Sequence, residues 1–93
     1  MTKPGAAELR ELRRESQRLK ANLTIGKAGL AEAQVGQIRA ALERTPLLKV
    51  RVLGQDRAAI GEMSERLAAE VPCVVVARVG FVLTLYRPPA EDS

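Results

Sequence analysis

TIGKAGL, residues 24–30, is the stretch from which the architecture of this chain is read. Thr24 and Ile25 close a short β-favouring run, NLTIG (22–26), and two glycines spaced GxxG follow at once. Glycine adopts backbone conformations that are costly for other residues, so Gly26, Lys27, Ala28 and Gly29 read as a tight turn. Beyond the turn, Val35, Ile38 and Leu42 recur at helical spacing and predict a helix over 30–44. A helix start presents unpaired N–H groups and the positive end of its dipole, and both favour an anion. Lys27 would add a mobile charge at the tip. An ordinary strand-to-helix turn needs the same glycines, however, so GxxG by itself is a weak pattern.

Working outward, Pro46 ends the helix, because proline disfavours helical geometry in the residue before it. LLKVRVL (47–53) then alternates at period two, with Leu48, Val50 and Val52 on one face and Lys49 and Arg51 on the other. Gly54 breaks that strand. A further helix is expected over 55–70, with Ile60, Met63 and Leu67 inward, followed by Val71 and closed by Pro72. CVVVARV (73–79) and FVLTLYR (81–87) read as two strands meeting at Gly80, the last stopped by Pro88 and Pro89. Upstream of the loop, Leu9, Leu12, Ser16 and Leu19 form the inner stripe of a first helix over 6–20. Residues 1–5 are a loose start and 89–93 a polar tail.

The predicted order is α-β-α-β-α-β-β, an α/β fold with a four-stranded mixed sheet packed against three helices. Each β-α-β crossover is right-handed and gives parallel neighbours, whereas the final hairpin is antiparallel. The 93 residues form one domain, 1–93, with a core of about 8–88.

Composition excludes several classes of function. No apolar run approaches the roughly 20 residues that span a bilayer, and no apolar signal follows the first charges. A cytoplasmic protein without membrane contact is expected. Cys73 is the only cysteine, so no internal disulfide can form; within CVVVARV it reads as a buried, inert thiol. Histidine is absent, which removes the usual general base and the commonest metal ligand. No GK[ST] ending follows the glycine loop and no G-x-G-x-x-G follows a strand, so nucleotide-loop enzymes do not fit. No catalytic residue, cofactor or metal is expected, and the chain is read as a non-enzyme.

Charge points to a partner. Fifteen Lys and Arg stand against eleven acids, a net +4 with a pI near 9.8. Residues 1–30 hold seven bases (Lys3, Arg10, Arg13, Arg14, Arg18, Lys20, Lys27) and three acids (Glu8, Glu11, Glu15), so the whole excess lies there. That asymmetry fits a localised anion-binding surface. Arg10, Arg14 and Arg18 follow at i, i+4, i+8, away from the apolar stripe. They are either a solvated face balanced by Glu11 and Glu15 or a ridge facing phosphates. Only Phe81 and Tyr86 are aromatic, both in an apolar run where core packing is expected. A base-stacking platform of the RRM kind therefore cannot be built, and phosphate contacts should dominate. A basic helix docking an acidic protein partner is the alternative.

Strand-TIGKAGL-helix, then LLKVRV (47–52), then GFVLTLYRP (80–88), resembles the bacterial YhbY-type proteins, stand-alone versions of the CRM (chloroplast RNA splicing and ribosome maturation) domain. The resemblance covers about 8–88. It implies a domain similar to the C-terminal domain of translation initiation factor 3, with a GxxG loop used as in the KH fold to clamp a nucleic-acid backbone. It also implies RNA binding, with large-subunit ribosomal RNA and pre-ribosomal particles as partners and a role in ribosome biogenesis. By position the RNA-binding residues would be Gly26, Lys27, Ala28 and Gly29, the helix with Arg10, Arg14, Arg18 and Lys20, and the strand charges Lys49, Arg51 and Arg87. A monomer is expected. Phe81 departs from the family pattern, in which a lysine follows Gly80.

Overall fold

Periodicity alone places most of the core. In the computed structural model, which describes residues 4–88, α1 spans Ala6–Arg18, β1 Leu23–Ile25, α2 Glu32–Arg44 and β2 Leu47–Val52. They are followed by α3 (Arg57–Glu70), β3 (Val74–Val79) and β4 (Val82–Tyr86). The order is the expected one, and the expected polar tail at 89–93 and the residues before Pro4 lie outside the described part. The first helix is shorter than its sequence pattern: Leu19 is already extended, which leaves Lys20 past its end.

The four strands form one mixed sheet in the order β1-β2-β4-β3. β1 runs parallel to β2, while β4 lies antiparallel to both β2 and β3. The hairpin's second strand is therefore central and its first strand an edge. The residues explain why. In β4, Leu83, Thr84 and Leu85 are all buried, so both faces of that strand are covered; β3 ends in exposed Arg78 and Val79.

Helices α2 and α3 cover one face. Val35, Ile38, Leu42, Ile60, Met63 and Leu67 meet Leu48, Val50, Val52, Leu83 and Leu85 in the main core. Cys73 belongs to it, with its Sγ 3.6 Å from the Leu67 carbonyl oxygen; burial pushes the thiol up to about 11, so it stays protonated and unreactive near neutral pH.

Helix α1 covers the other face through a smaller cluster of Leu12, Leu47 and Val76. The β3–β4 register slips between Val75 and Ala77, a bulge at Val76, and Arg13 Nε donates to the Val76 carbonyl at 2.8 Å. Ser16, the polar member of the inner stripe, is buried and shares a 2.7 Å hydrogen bond with the buried Thr84 of β4. Near its start α1 meets the end of β4, where Tyr86 donates to Glu8 at 3.2 Å; near its end it meets mid-sheet. The helix thus stops partway up the sheet.

Candidate nucleic-acid interface

Three connections gather at the sheet end that α1 leaves open: the β1–α2 loop, the β2–α3 loop and the β3–β4 turn. The first is closed by a 3.0 Å bond from Gly29 N–H to the Gly26 carbonyl, with Gly29 at φ 89°, a left-handed conformation that favours glycine. Leu53 N–H donates to the Ile25 carbonyl at 2.8 Å and Gln55 Nε2 to the Lys27 carbonyl at 2.8 Å, which tie the second loop to the first. Val52 N–H donates to the Phe81 carbonyl at 2.7 Å and brings in the hairpin turn. Gly54 has φ 67°, and a Cβ there would fall 2.4 Å from Lys27 Cγ. The lysine stem therefore lies across Gly54, and its side chain remains exposed.

The two helix starts at this end differ. Asp56 caps α3 by accepting from the Ala59 N–H at 2.8 Å, which places a carboxylate on that terminus. No side chain caps the first-turn N–H groups of α2, and Gln34 Oε1 instead accepts from the Ala31 N–H at 3.3 Å. α2 is accordingly the helix start with donors available to an anion. Arg66 of α3 holds it from below, donating to the Leu30 carbonyl at 2.6 Å and pairing with Glu70 at 2.7 Å and Glu32 at 3.9 Å. That loop-supporting role has no motif in the sequence, whose one signal for it is the i, i+4 spacing to Glu70.

The cations singled out from the sequence divide into groups. Lys27 and Arg51 both lie towards the loop end, where both are exposed and, among the described residues, have no carboxylate in salt-bridge range. Arg51 stands on the α1 face between Thr24 of β1 and Val82 of β4. Lys49 is on the same face but half-buried under α1, its Nζ donating to the carbonyls of Ser16 (2.8 Å) and Leu19 (3.1 Å). Arg10, Arg14 and Arg18 line the exposed side of α1, spread over about 12 Å at 1.5 Å per residue, with Arg18 nearest the loop end. Arg14 pairs with Glu11 at 3.4 Å, an exposed contact of little energetic weight. Lys20 is exposed just beyond the helix. Arg87 lies at the opposite end of the sheet, where its backbone N–H donates to the Pro46 carbonyl and its Nε to the Leu42 carbonyl that ends α2.

The aromatics correct an expectation. Tyr86 is half-buried, and burial, helped by its bond to Glu8, raises its phenol above the usual range. Phe81 is not core: it is 51% exposed, because strand β4 begins only at Val82 and the turn takes Gly80 and Phe81. A cavity of about 530 Å³ opens between the end of α1 and the sheet, lined by Arg13, Gln17, Lys49 and Val82 among others. A second of about 480 Å³ lies at the loop end between Arg51 and Phe81 and shares Val82 with the first.

Among the described residues no group of three or more His, Cys, Asp or Glu is placed to hold a metal, and no helix is long and apolar enough to cross a membrane. The CRS1 / YhbY (CRM) domain model matches residues 6–87. A Haemophilus influenzae RNA-binding protein is 34% identical over 67 residues, 72% of this chain and 68% of its own length. The rice CRM-domain containing factor CFM3, chloroplastic/mitochondrial, is 31% identical over 86 residues; these are 92% of this chain but 10% of the rice protein. The solution structure of hypothetical protein SAV1595 from Staphylococcus aureus, described as a candidate RNA binding protein, superposes with a TM-score of 0.83 at 27% identity. That likeness covers 98% of this chain and 95% of the other.

Proposed function

This chain belongs to the CRS1 / YhbY (CRM) domain family, and from that premise we propose that it binds RNA through the loop end of its sheet. The observation that carries the reading is a pair of exposed cations at the loop end, Lys27 and Arg51, neither with an acidic partner among the described residues, together with the uncapped start of α2. A phosphate set against the Gly26–Gly29 turn meets backbone N–H donors, the helix dipole and the Lys27 amine together. Arg18 and Lys20 extend the charge along α1, and Arg10 and Arg14 continue it away from the loop. Lys49 and Arg87 contribute mainly by fixing α1 and α2, since the Lys49 amine bonds two carbonyls at the end of α1 and Arg87 Nε bonds the Leu42 carbonyl near the end of α2.

The target we propose is ribosomal RNA of the large subunit in its precursor particles, with the protein acting in the cytoplasm as a monomeric assembly factor that performs no catalysis. The family and the Haemophilus influenzae RNA-binding relative of similar length support RNA as the partner, a chain with no histidine and one buried thiol fits a protein without catalysis, and the large-subunit target rests on the resemblance to the YhbY-type proteins.

Binding of a labelled RNA, titrated across salt, tests it. Affinity should fall with salt at a log–log slope of about −0.7 per phosphate engaged on a single strand. Lys27→Ala should weaken all RNA sequences alike and flatten the slope by roughly 0.7. On sucrose gradients the protein should travel with large-subunit particles at low salt and leave them at high salt. Unchanged affinity and slope in Lys27→Ala would refute the loop assignment; protein at the top of both gradients would refute the ribosomal target.

A further inference from the structure

We propose that Phe81 and Leu53 form a base-stacking face beside the phosphate-binding loop, so that the protein selects RNA with an unpaired base where its backbone meets Lys27 and Arg51. This rests on the RNA-binding reading above and adds to it the kind of RNA preferred.

Among the described residues the exposed large hydrophobics are Leu53 (46%), Val79 (75%) and Phe81 (51%). Single exposed apolar side chains are ordinary. Two of these, however, line one cavity of about 480 Å³, within the roughly 300–1,000 Å³ typical of ligand clefts. The ring is held there by backbone. Gly80 at φ 58° opens a two-residue turn between the paired Val79 and Val82, which projects Phe81 from the end of the sheet. The bond from Val52 N–H to the Phe81 carbonyl then fixes that turn against the strand leading to Leu53.

Charge selects the occupant. Arg51 lines the same cavity, and so does Gly54, across which the Lys27 stem lies. Among the described residues neither cation has an acidic partner, so the ligand must combine an anion with a flat apolar face, and an unpaired nucleotide does. Asp56, on the cavity's α3 side, repels a phosphate there. The phosphate is thereby directed to Lys27 and Arg51, and the base to Phe81 and Leu53. A second copy of the chain fits poorly, because closing two such patches together would bring the Arg51 and Lys27 charges of each copy near their counterparts. In a duplex the bases are already stacked, and the ring finds no free face.

The test uses labelled oligoadenosine of about 12 nucleotides, within the span of single-strand sites, and an abasic strand of equal length and charge. Phe81→Ala should bind oligoadenosine roughly 10-fold more weakly, keep the same salt slope and lose under about 2-fold on the abasic strand. Phe81→Trp should retain affinity. The chain has no tryptophan, so this variant's emission should quench with oligoadenosine and not with the abasic strand. An unchanged Phe81→Ala affinity, or equal losses on both strands, overturns the proposal. So does a Phe81→Trp emission that shifts with protein concentration in the absence of RNA, which would assign the patch to self-association. Wild-type protein that binds both strands equally keeps RNA binding and removes stacking; binding neither removes both.

Discussion

Lys49→Met separates a structural cation from a binding one. On sequence Lys49 and Arg51 are equivalent, both on the polar face of β2, but Lys49 Nζ sits 2.8 Å from the Ser16 carbonyl and 3.1 Å from that of Leu19. These are carbonyls at the end of α1, where a cation also interacts favourably with the helix dipole, worth about 0.3–1 kcal/mol. Hydrogen bonds to a charged group contribute about 1.5–3 kcal/mol each, and ordering a lysine side chain costs up to about 2 kcal/mol. The Ser16 carbonyl keeps a second donor, the Leu19 N–H at 3.1 Å, so the loss falls mostly on Leu19. A net destabilisation of about 2 kcal/mol follows for the variant, with methionine preserving the aliphatic stem. For a chain of 93 residues, at about 4–8 °C per kcal/mol, the melting temperature should drop by roughly 8–16 °C. Differential scanning calorimetry measures that drop, and an RNA titration on the folded variant should return an unchanged salt slope. A variant with wild-type stability and a slope flattened by about 0.7 would refute the reasoning and make Lys49 a phosphate ligand.

Two further substitutions probe how α1 and the loop end are held. Ser16→Ala strands the buried Thr84 hydroxyl and should cost about 1–3 kcal/mol in urea melts. Adding Thr84→Val should recover most of that loss, and equal or greater loss in the double variant would show that the hydroxyl pair does not couple helix to sheet. Gly54→Ala forces a Cβ into a left-handed conformation, costing about 1–2 kcal/mol, and drives it into the Lys27 stem. Its thermal penalty should shrink in a Lys27→Ala background, whereas equal penalties in both backgrounds would place the stem elsewhere.

The pattern that located the elements did so because burial on one face imposes a period. Val35, Ile38 and Leu42, and likewise Leu48, Val50 and Val52, turn inward as spaced. Strand order had a subtler signal. VLTLY carries no charge while VVVARV carries Arg78, and a central strand covered on both faces tolerates charge least. FVLTLYR is apolar from its first residue, so pattern alone extends the strand over Phe81, and only the two-residue turn decides that Phe81 leaves it. Ser16 is visible as a polar break in an apolar stripe, yet its partner lies 68 positions away and no local pattern announces it.

The basic face shows the same limit and its consequence. Period two puts Lys49 and Arg51 on one side of β2, and composition puts the charge excess near the N-terminus. Neither reveals where α1 ends against the sheet. Because Leu19 turns extended beside Lys49, that lysine is spent on the helix end, while Arg51, two residues on, stands clear. Arg87 meets a similar fate at the end of α2, and Arg13 at the Val76 bulge. Basic residues in this fold thus do two jobs, closing carbonyls left open by secondary structure and offering charge outward, and the local geometry of the carbonyls decides which. Net charge overstates the binding surface for that reason. Among the described residues the cations left free near the glycine loop are few, Lys27 and Arg51 foremost, which leaves room for a contribution beyond phosphate contacts. The exposed Phe81 ring at the β3–β4 turn is the group proposed above to supply it.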